Sequence, residues 1–363
     1  RQRQMCIRDR YMFATLGSAL CLPFVGRLVD VVSARNTIAL VVPVLAAATL
    51  MAAYAASVAT LVLAIFLLRL FGQGMMTHIA LTATGRWFVA ERGRAVSLVV
   101  LGHQGGEATI PLMFSMLAVA YGYQVGWIAG AIVLLAVGLP CTFWAYYQPR
   151  VPHGQSAALG TGGHVDRSWT RRQVLQDPIF WVLLTGVLAP SFIGTTIFYH
   201  QNYLTTLYNW PPQYFAQSLL VMAVTTVICA LLTGAAIDRV GARTVLPIFL
   251  LPLAGACFAL AYGGSGWLLG VMLLLGVSYG IASTLFGALW PETYGPVHLG
   301  AIRSVTVSAA VLSTAAGPGV TGTLIDQGVD LPRQMVFMGL YCLVTATAMT
   351  LASARLRRRA NSP

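Results

Sequence analysis

Few side chains in this sequence can do chemistry, and those that can stand inside apolar stretches. Arg69 lies within the run 59–80, and His103 and Glu107 stand four residues apart in the run 95–117. Tyr199, His200 and Gln201 fall together near the end of the run 179–204. Ionisable groups in such surroundings are costly, and they are kept for a function or for a partner. The guanidinium of Arg69 is a planar fork of donors suited to a carboxylate. An imidazole one helical turn from a carboxylate, as in His103 and Glu107, can relay a proton near neutral pH. His200 and its polar neighbours could serve as a gate or a first contact.

Each of these has a structural alternative. At ~1.5 Å per residue, Arg69 and Glu107 reach similar depths and could form a buried pair. His103 and Glu107 could be a hydrogen-bonded pair supporting close packing at Gly102, Gly105 and Gly106. His78, close to the end of its run, reads as a boundary residue. No metal or cofactor site is expected: two ligands do not make a metal site, there is no HExxH, and a chain without lysine has no P-loop. Catalysis is not expected either.

The elements that position these groups follow from composition. Of 363 residues, 57% are hydrophobic and 9% charged, with a mean hydropathy of +0.75. A soluble domain carries roughly 25% charged residues. Apolar runs long enough to cross a ~30 Å hydrocarbon core recur from end to end. Spans are expected at about 11–25, 37–56, 59–80, 95–117, 124–147, 179–204, 216–236, 244–262, 267–289, 302–324 and 334–354. One long polar connection, Gln148 to Asp177, separates five of them from six. The six cysteines are scattered singly and read as small packing residues.

The net charge of +12 comes entirely from arginine, placed in short loops and at the C-terminus. No basic face with interleaved aromatics exists, so no nucleic-acid partner is expected. With the loop after the first span placed in the cytoplasm, every loop arginine beyond residue 10 except Arg333 falls inside. The positive-inside rule then makes the C-terminus cytoplasmic. Residues 1–10, RQRQMCIRDR, break this pattern and read as a non-native head resembling a translated sequencing adapter. They are excluded from fold reasoning.

Two loops carry an internal repeat. Gly26-Arg27-Leu28-Val29-Asp30 leads to Arg35, and Gly234-Ala235-Ala236-Ile237-Asp238 leads through Arg239 and Gly241 to Arg243. Each keeps glycine, aspartate four later and arginine five after that. Repeats of this kind mark secondary-transporter folds. An aspartate at a helix start gains from the helix dipole, and a nearby arginine adds a charge-assisted bond.

The pattern resembles the G-x-x-x-D-R-x-G-R-R loop of the major facilitator superfamily, and the second copy is the better match. The first departs at Val31, Ser33 and Ala34. The resemblance implies an all-α integral membrane protein with two six-helix bundles, twelve helices in all, of which eleven are present here. The bundles are then 11–147, lacking its first helix, and 179–354, joined by a cytoplasmic loop 148–178 and followed by a basic tail 355–363. The resemblance also implies that Gly26, Asp30, Arg35, Gly234, Asp238, Arg239, Gly241 and Arg243 form conformational latches.

Segments such as Arg69-Leu-Phe-Gly-Gln-Gly74, Leu101-Gly-His-Gln-Gly-Gly106, Phe198-Tyr-His-Gln201 and Trp290-Pro-Glu292 are similar to bacterial monocarboxylate and oxalate–formate porters. That likeness implies a small organic anion as solute, with a proton or a counter-anion as second partner, in the bacterial cytoplasmic membrane. Efflux of drugs or metabolites on the same fold is the alternative; an intramembrane enzyme lacks any catalytic constellation.

Overall fold

The structure, a computed structural model, describes residues 2–147 and 168–361. Most of the expected central loop, with Arg150 and Arg167, lies outside the described residues. In chain order the helices are α1 Gln2–Val25, α2 Leu28–Val31, α3 Ala34–Ala53, α4 Val58–Trp87, α5 Arg92–Tyr121, α6 Tyr123–Ala145 and α7 Arg171–Gln176. There follow α8 Pro178–Tyr199, α9 Gln201–Leu207, α10 Pro212–Val240, α11 Ala242–Tyr262 (with a turn at 246–249), α12 Leu268–Tyr294, α13 Leu299–Asp326 and α14 Leu331–Asn361. A π-helical stretch, Leu68–Met76, interrupts α4, and a second, Leu134–Gly138, interrupts α6. No strand occurs among the described residues.

Ten helical stretches among the described residues are long and apolar enough to cross a membrane. The eleventh expected span is α5. Its 30 residues are ample in length, but His103, Gln104, Glu107 and three glycines dilute its apolar character. The molecule is an all-α membrane protein. Several boundaries differ from expectation. The first helix begins at Gln2, within the residues 1–10 set aside above, and not at 11. The span 179–204 breaks at His200, which closes α8 and precedes α9. The expected tail instead prolongs α14 to Asn361, because arginine is a good helix former and favours the negative end of the helix dipole.

Local signals set the starts. Ser57 and Thr60 form a capping box ahead of α4, and Thr170 and Gln173 form another ahead of α7. Asp177 caps α8, with Pro178 at its first position; both choices suit a helix start.

The chain folds as two compact units. One comprises Arg1–Val89, Gly105–Val165 and Val297–Leu312, and the other Ala90–Gln104, Asp166–Pro296 and Ser313–Pro363. Helices α5 and α13 are therefore each divided between units. In the first unit, Leu22, Val29, Ile38, Val41, Val42, Leu70, Met75 and Ile79 form a buried cluster. In the second, Phe249, Phe286, Trp290 and Tyr294 follow one another with ring centroids 5.1–6.4 Å apart, and Phe180 packs against Trp290 and Tyr294. Between apolar helices in lipid, packing of this kind and hydrogen bonds supply the cohesion.

Candidate functional site: two seated carboxylates and an intramembrane arginine

Asp30 sits in the first unit, on the four-residue helix α2. One carboxylate oxygen accepts the Gly300 backbone N–H at 2.7 Å and the other the Ala301 N–H at 2.6 Å. These are donors of the first turn of α13 that lack a partner within the helix, and the helix dipole there also favours negative charge. Arg86, at the end of α4, completes the seat through a short ion pair with Asp30. Its other bonds go to the carbonyls of Val29 at 2.9 Å and Val297 at 3.2 Å. A methyl group at Gly300 would collide with the Asp30 carboxylate, so glycine is what allows the approach.

The second loop repeats the arrangement inside the second unit. Asp238 accepts the Gly93 N–H at 2.6 Å and the Arg94 N–H at 3.1 Å, both in the first turn of α5. Gly93 has no room for a side chain: a methyl there would strike the Gly234 carbonyl and lie 2.8 Å from Asp238 Oδ1. Gly234, expected from the repeat, faces it; its own added methyl would be 2.7 Å from the Gly93 carbonyl oxygen. Gly241 ends α10 at φ 81°, a conformation that favours glycine.

The loop arginines depart from expectation. Arg35 does not reach Asp30; its guanidinium stacks 4.0 Å over Phe143 and 4.8 Å over Tyr147. Arg86, from another helix, takes the expected place beside the carboxylate. Arg239 is exposed, and Asp238 instead has Arg94 Nε 3.8 Å away. Arg243 pairs with Glu292, Nε to Oε1 at 3.5 Å. Glu292 also accepts the Ala242 and Arg243 N–H groups at 2.7 and 3.3 Å, capping α11. A repeat motif fixes spacing along the chain; which cation meets which anion depends on helix packing.

Gly26 closes α1 with its N–H bonded to the Leu22 carbonyl at 2.7 Å. His78 is fully buried, with Nε2 3.1 Å from the Gly26 carbonyl oxygen and no hydrogen-bond partner at Nδ1. It is therefore part of the support of the first loop, not a boundary residue. Nothing in a single sequence links two residues 52 positions apart.

Among the intramembrane groups, Arg69 lies inside the π-helical stretch of α4 and donates from Nη1 to Gln73 Oε1. π-Helical stretches inside α-helices are frequent at functional sites. His103 and Glu107 are both exposed on α5. His200 Nε2 lies 3.0 Å from Thr321 Oγ1. That hydroxyl already donates to the Gly317 carbonyl at 2.7 Å, so Nε2 carries the proton and donates. Tyr199 packs edge-on against the same ring at 5.2 Å, and Gln201 is exposed at the start of α9.

Residues 11–318 match the model of the Major Facilitator Superfamily. This chain belongs to the major facilitator superfamily. Solved structures agree on the fold. The E. coli fucose:proton symporter FucP superposes with a TM-score of 0.73 at 13% identity, over 97% of this chain and 92% of that one. The human organic anion transporter MFSD10 gives 0.72 at 16% identity, over 94% of this chain and 82% of that one. The proton:xylose symporter XylE gives 0.67 at 13%, over 99% of this chain and 87% of that one. No curated protein matches the sequence.

In this superfamily member one further charged cluster stands out. Asp177 is buried and accepts both Arg359 nitrogens, at 2.8 and 3.1 Å, the Ile179 N–H at 3.1 Å and the Tyr294 hydroxyl at 3.2 Å. Burial works to raise its pKa, but the bonds from Arg359, Ile179 and Tyr294 outweigh it and hold the carboxyl below its ordinary range. The legible signal was Asp177 before Pro178, a helix start; the partner 182 residues away was not legible.

Proposed function

We propose that this secondary transporter of the major facilitator superfamily carries a small organic anion, a monocarboxylate by preference, by alternating access with proton coupling or anion exchange. The observation that carries this reading is Arg69, a cation held within a π-helical stretch by Gln73. Its fork can bind a carboxylate that lipid alone cannot stabilise. His103 and Glu107, exposed one turn apart on α5, are the proton-carrying pair, and His200 with Tyr199 and Gln201 is the outer gate. The fold shared with MFSD10, an organic anion transporter, supports the solute class. The two proton symporters support the coupling.

In this reading Asp30 and Asp238 are the latches. Each seats its carboxylate on the first turn of a helix, α13 or α5, that continues into the other unit. Rocking of the bundles would pull that turn away and release the carboxylate. The orientation we propose places both loops and the C-terminus in the cytoplasm of a bacterial cell, because the loop arginines gather on that side.

The test is uptake of labelled formate, oxalate, lactate and pyruvate into liposomes, with and without an imposed proton gradient. Gradient-stimulated uptake of one of these, lost in Arg69→Ala, is the expected result. Uptake that keeps its pH dependence unchanged in Glu107→Gln removes the relay. Absence of any carboxylate uptake by folded protein overturns the organic-anion reading and favours an efflux carrier.

A further inference from the structure

A cavity of about 370 Å³ opens beside the first latch loop, within the first unit. The turn Val29–Arg35, the end of α4 at Ala83, Arg86 and Trp87, and Tyr146 behind α6 line it. Its charges can be accounted for one by one. The Asp30 carboxylate is spent on Gly300, Ala301 and Arg86. Arg86 is spent on Asp30 and on the carbonyls of Val29 and Val297.

Arg35 differs from both. Its guanidinium is held flat by Phe143 and Tyr147. Its Nε is buried without a hydrogen-bond partner, and no carboxylate pairs with it among the described residues. The cavity thus contains one pre-oriented cation with donors to spare. Arg35 itself lines the cavity, so an acceptor entering there meets a cation already fixed in orientation.

The setting selects the acceptor. The cavity lies where α1, α3, α4 and α6 begin or end, at headgroup depth for apolar spans of this length. Trp87 and Tyr146 pack at 5.0 Å there, Val31 of the lining is exposed, and so are Trp144 and Tyr147, the chain neighbours of this segment. Aromatic belts of this kind mark the membrane–water interface, and basic pockets between spanning helices accept lipid headgroups. Arginine, with its planar fork, matches phosphate oxygens in pairs.

We propose that this cavity binds a phosphate group, that of an anionic phospholipid, with Arg35 as the recognising residue. The leaflet involved rests on the orientation proposed above; the site itself does not. The test uses the purified full chain in detergent, titrated with phosphatidylglycerol, phosphatidylcholine or inorganic phosphate and followed by native mass spectrometry. Phosphatidylglycerol should be retained about tenfold more tightly by the parent protein than by Arg35→Gln, one bidentate contact being worth on that order.

Arg355→Gln, which removes a cation on α14, should leave retention unchanged. Arg35→Lys, which keeps the charge and gives up the stacked plane, should retain an intermediate amount and report that the fold is intact. Protection by inorganic phosphate alone, also lost in Arg35→Gln, would keep the phosphate site and replace the lipid by a soluble anion. Equal retention of phosphatidylglycerol by the parent and Arg35→Gln, or equal retention of the two lipids by the parent, would overturn the proposal. Transport assays do not enter, so failure of this site and failure of the transport reading remain distinguishable.

Discussion

The two repeat loops seat their aspartates in the same way but with different supports. Each presents an aspartate to two backbone N–H groups at the start of a helix. Around Asp30 the second layer is charge: Arg86 pairs directly, is only 25% exposed, and is itself tied to two carbonyls. Around Asp238 the second layer is close backbone contact. Its nearest arginine, Arg94, stands 3.8 Å away and is 60% exposed, while Gly93 and Gly234 touch across the joint. The helix that follows is also capped differently. Ser33 of the first loop accepts the Asn36 N–H itself, whereas the second loop borrows Glu292 from α12. The copy that departs further from the repeat pattern therefore has the better-paired aspartate. Motif likeness and interaction strength are separate properties, because the strengthening residues come from outside the motif.

The difference can be broken or sharpened by paired substitutions. Asp30→Asn removes an ion pair and weakens two charge-assisted bonds. It should cost about 2 kcal/mol of latch stability and lower uptake roughly thirtyfold, with matching gains in maleimide labelling of a cysteine placed behind the loop. Asp238→Asn, whose carboxylate is held mainly by a helix start, should cost about 1 kcal/mol, near fivefold. Equal effects from the two would remove the distinction.

Glycine substitutions should reverse the ranking. Gly93→Ala meets a backbone carbonyl that cannot step aside, so a cost of about 2 kcal/mol is expected, within the range for overpacking. Gly300→Ala meets a carboxylate that can swing away, and should cost less in the same labelling assay.

A pH test applies to the unit that contains the second loop. The depressed pKa of Asp177 means that its stabilisation is whole above the ordinary carboxylate value and fades as pH falls through the folded value. Asp177→Asn should lower the melting temperature at neutral pH and flatten its decline on the acid side. Glu292→Gln, which weakens a cap, should cost about 1 kcal/mol in thermal melting. Smallest of all, Arg94→Gln should change stability by less than ~0.5 kcal/mol, as expected of an exposed ion pair.

Much of this protein was determined by the sequence alone. Apolar runs of spanning length, arginines confined to loops and a repeated glycine–aspartate–arginine spacing specify a helical membrane carrier, because a bilayer admits few other backbones. The helix starts at Ser57, Thr170 and Asp177 are set just as locally, because a cap is made by neighbours in the chain. Tertiary structure alone decided the partners. That Arg86 and not Arg35 meets Asp30, that Gly93 and Gly300 clear the way for the carboxylates, that His78 braces Gly26 and that Glu292 caps a helix 49 or 50 residues before it all depend on which helix faces pack together. Such contacts join positions far apart along the chain. Spacing can require that a charge be met, but only the packed helices determine which residue meets it.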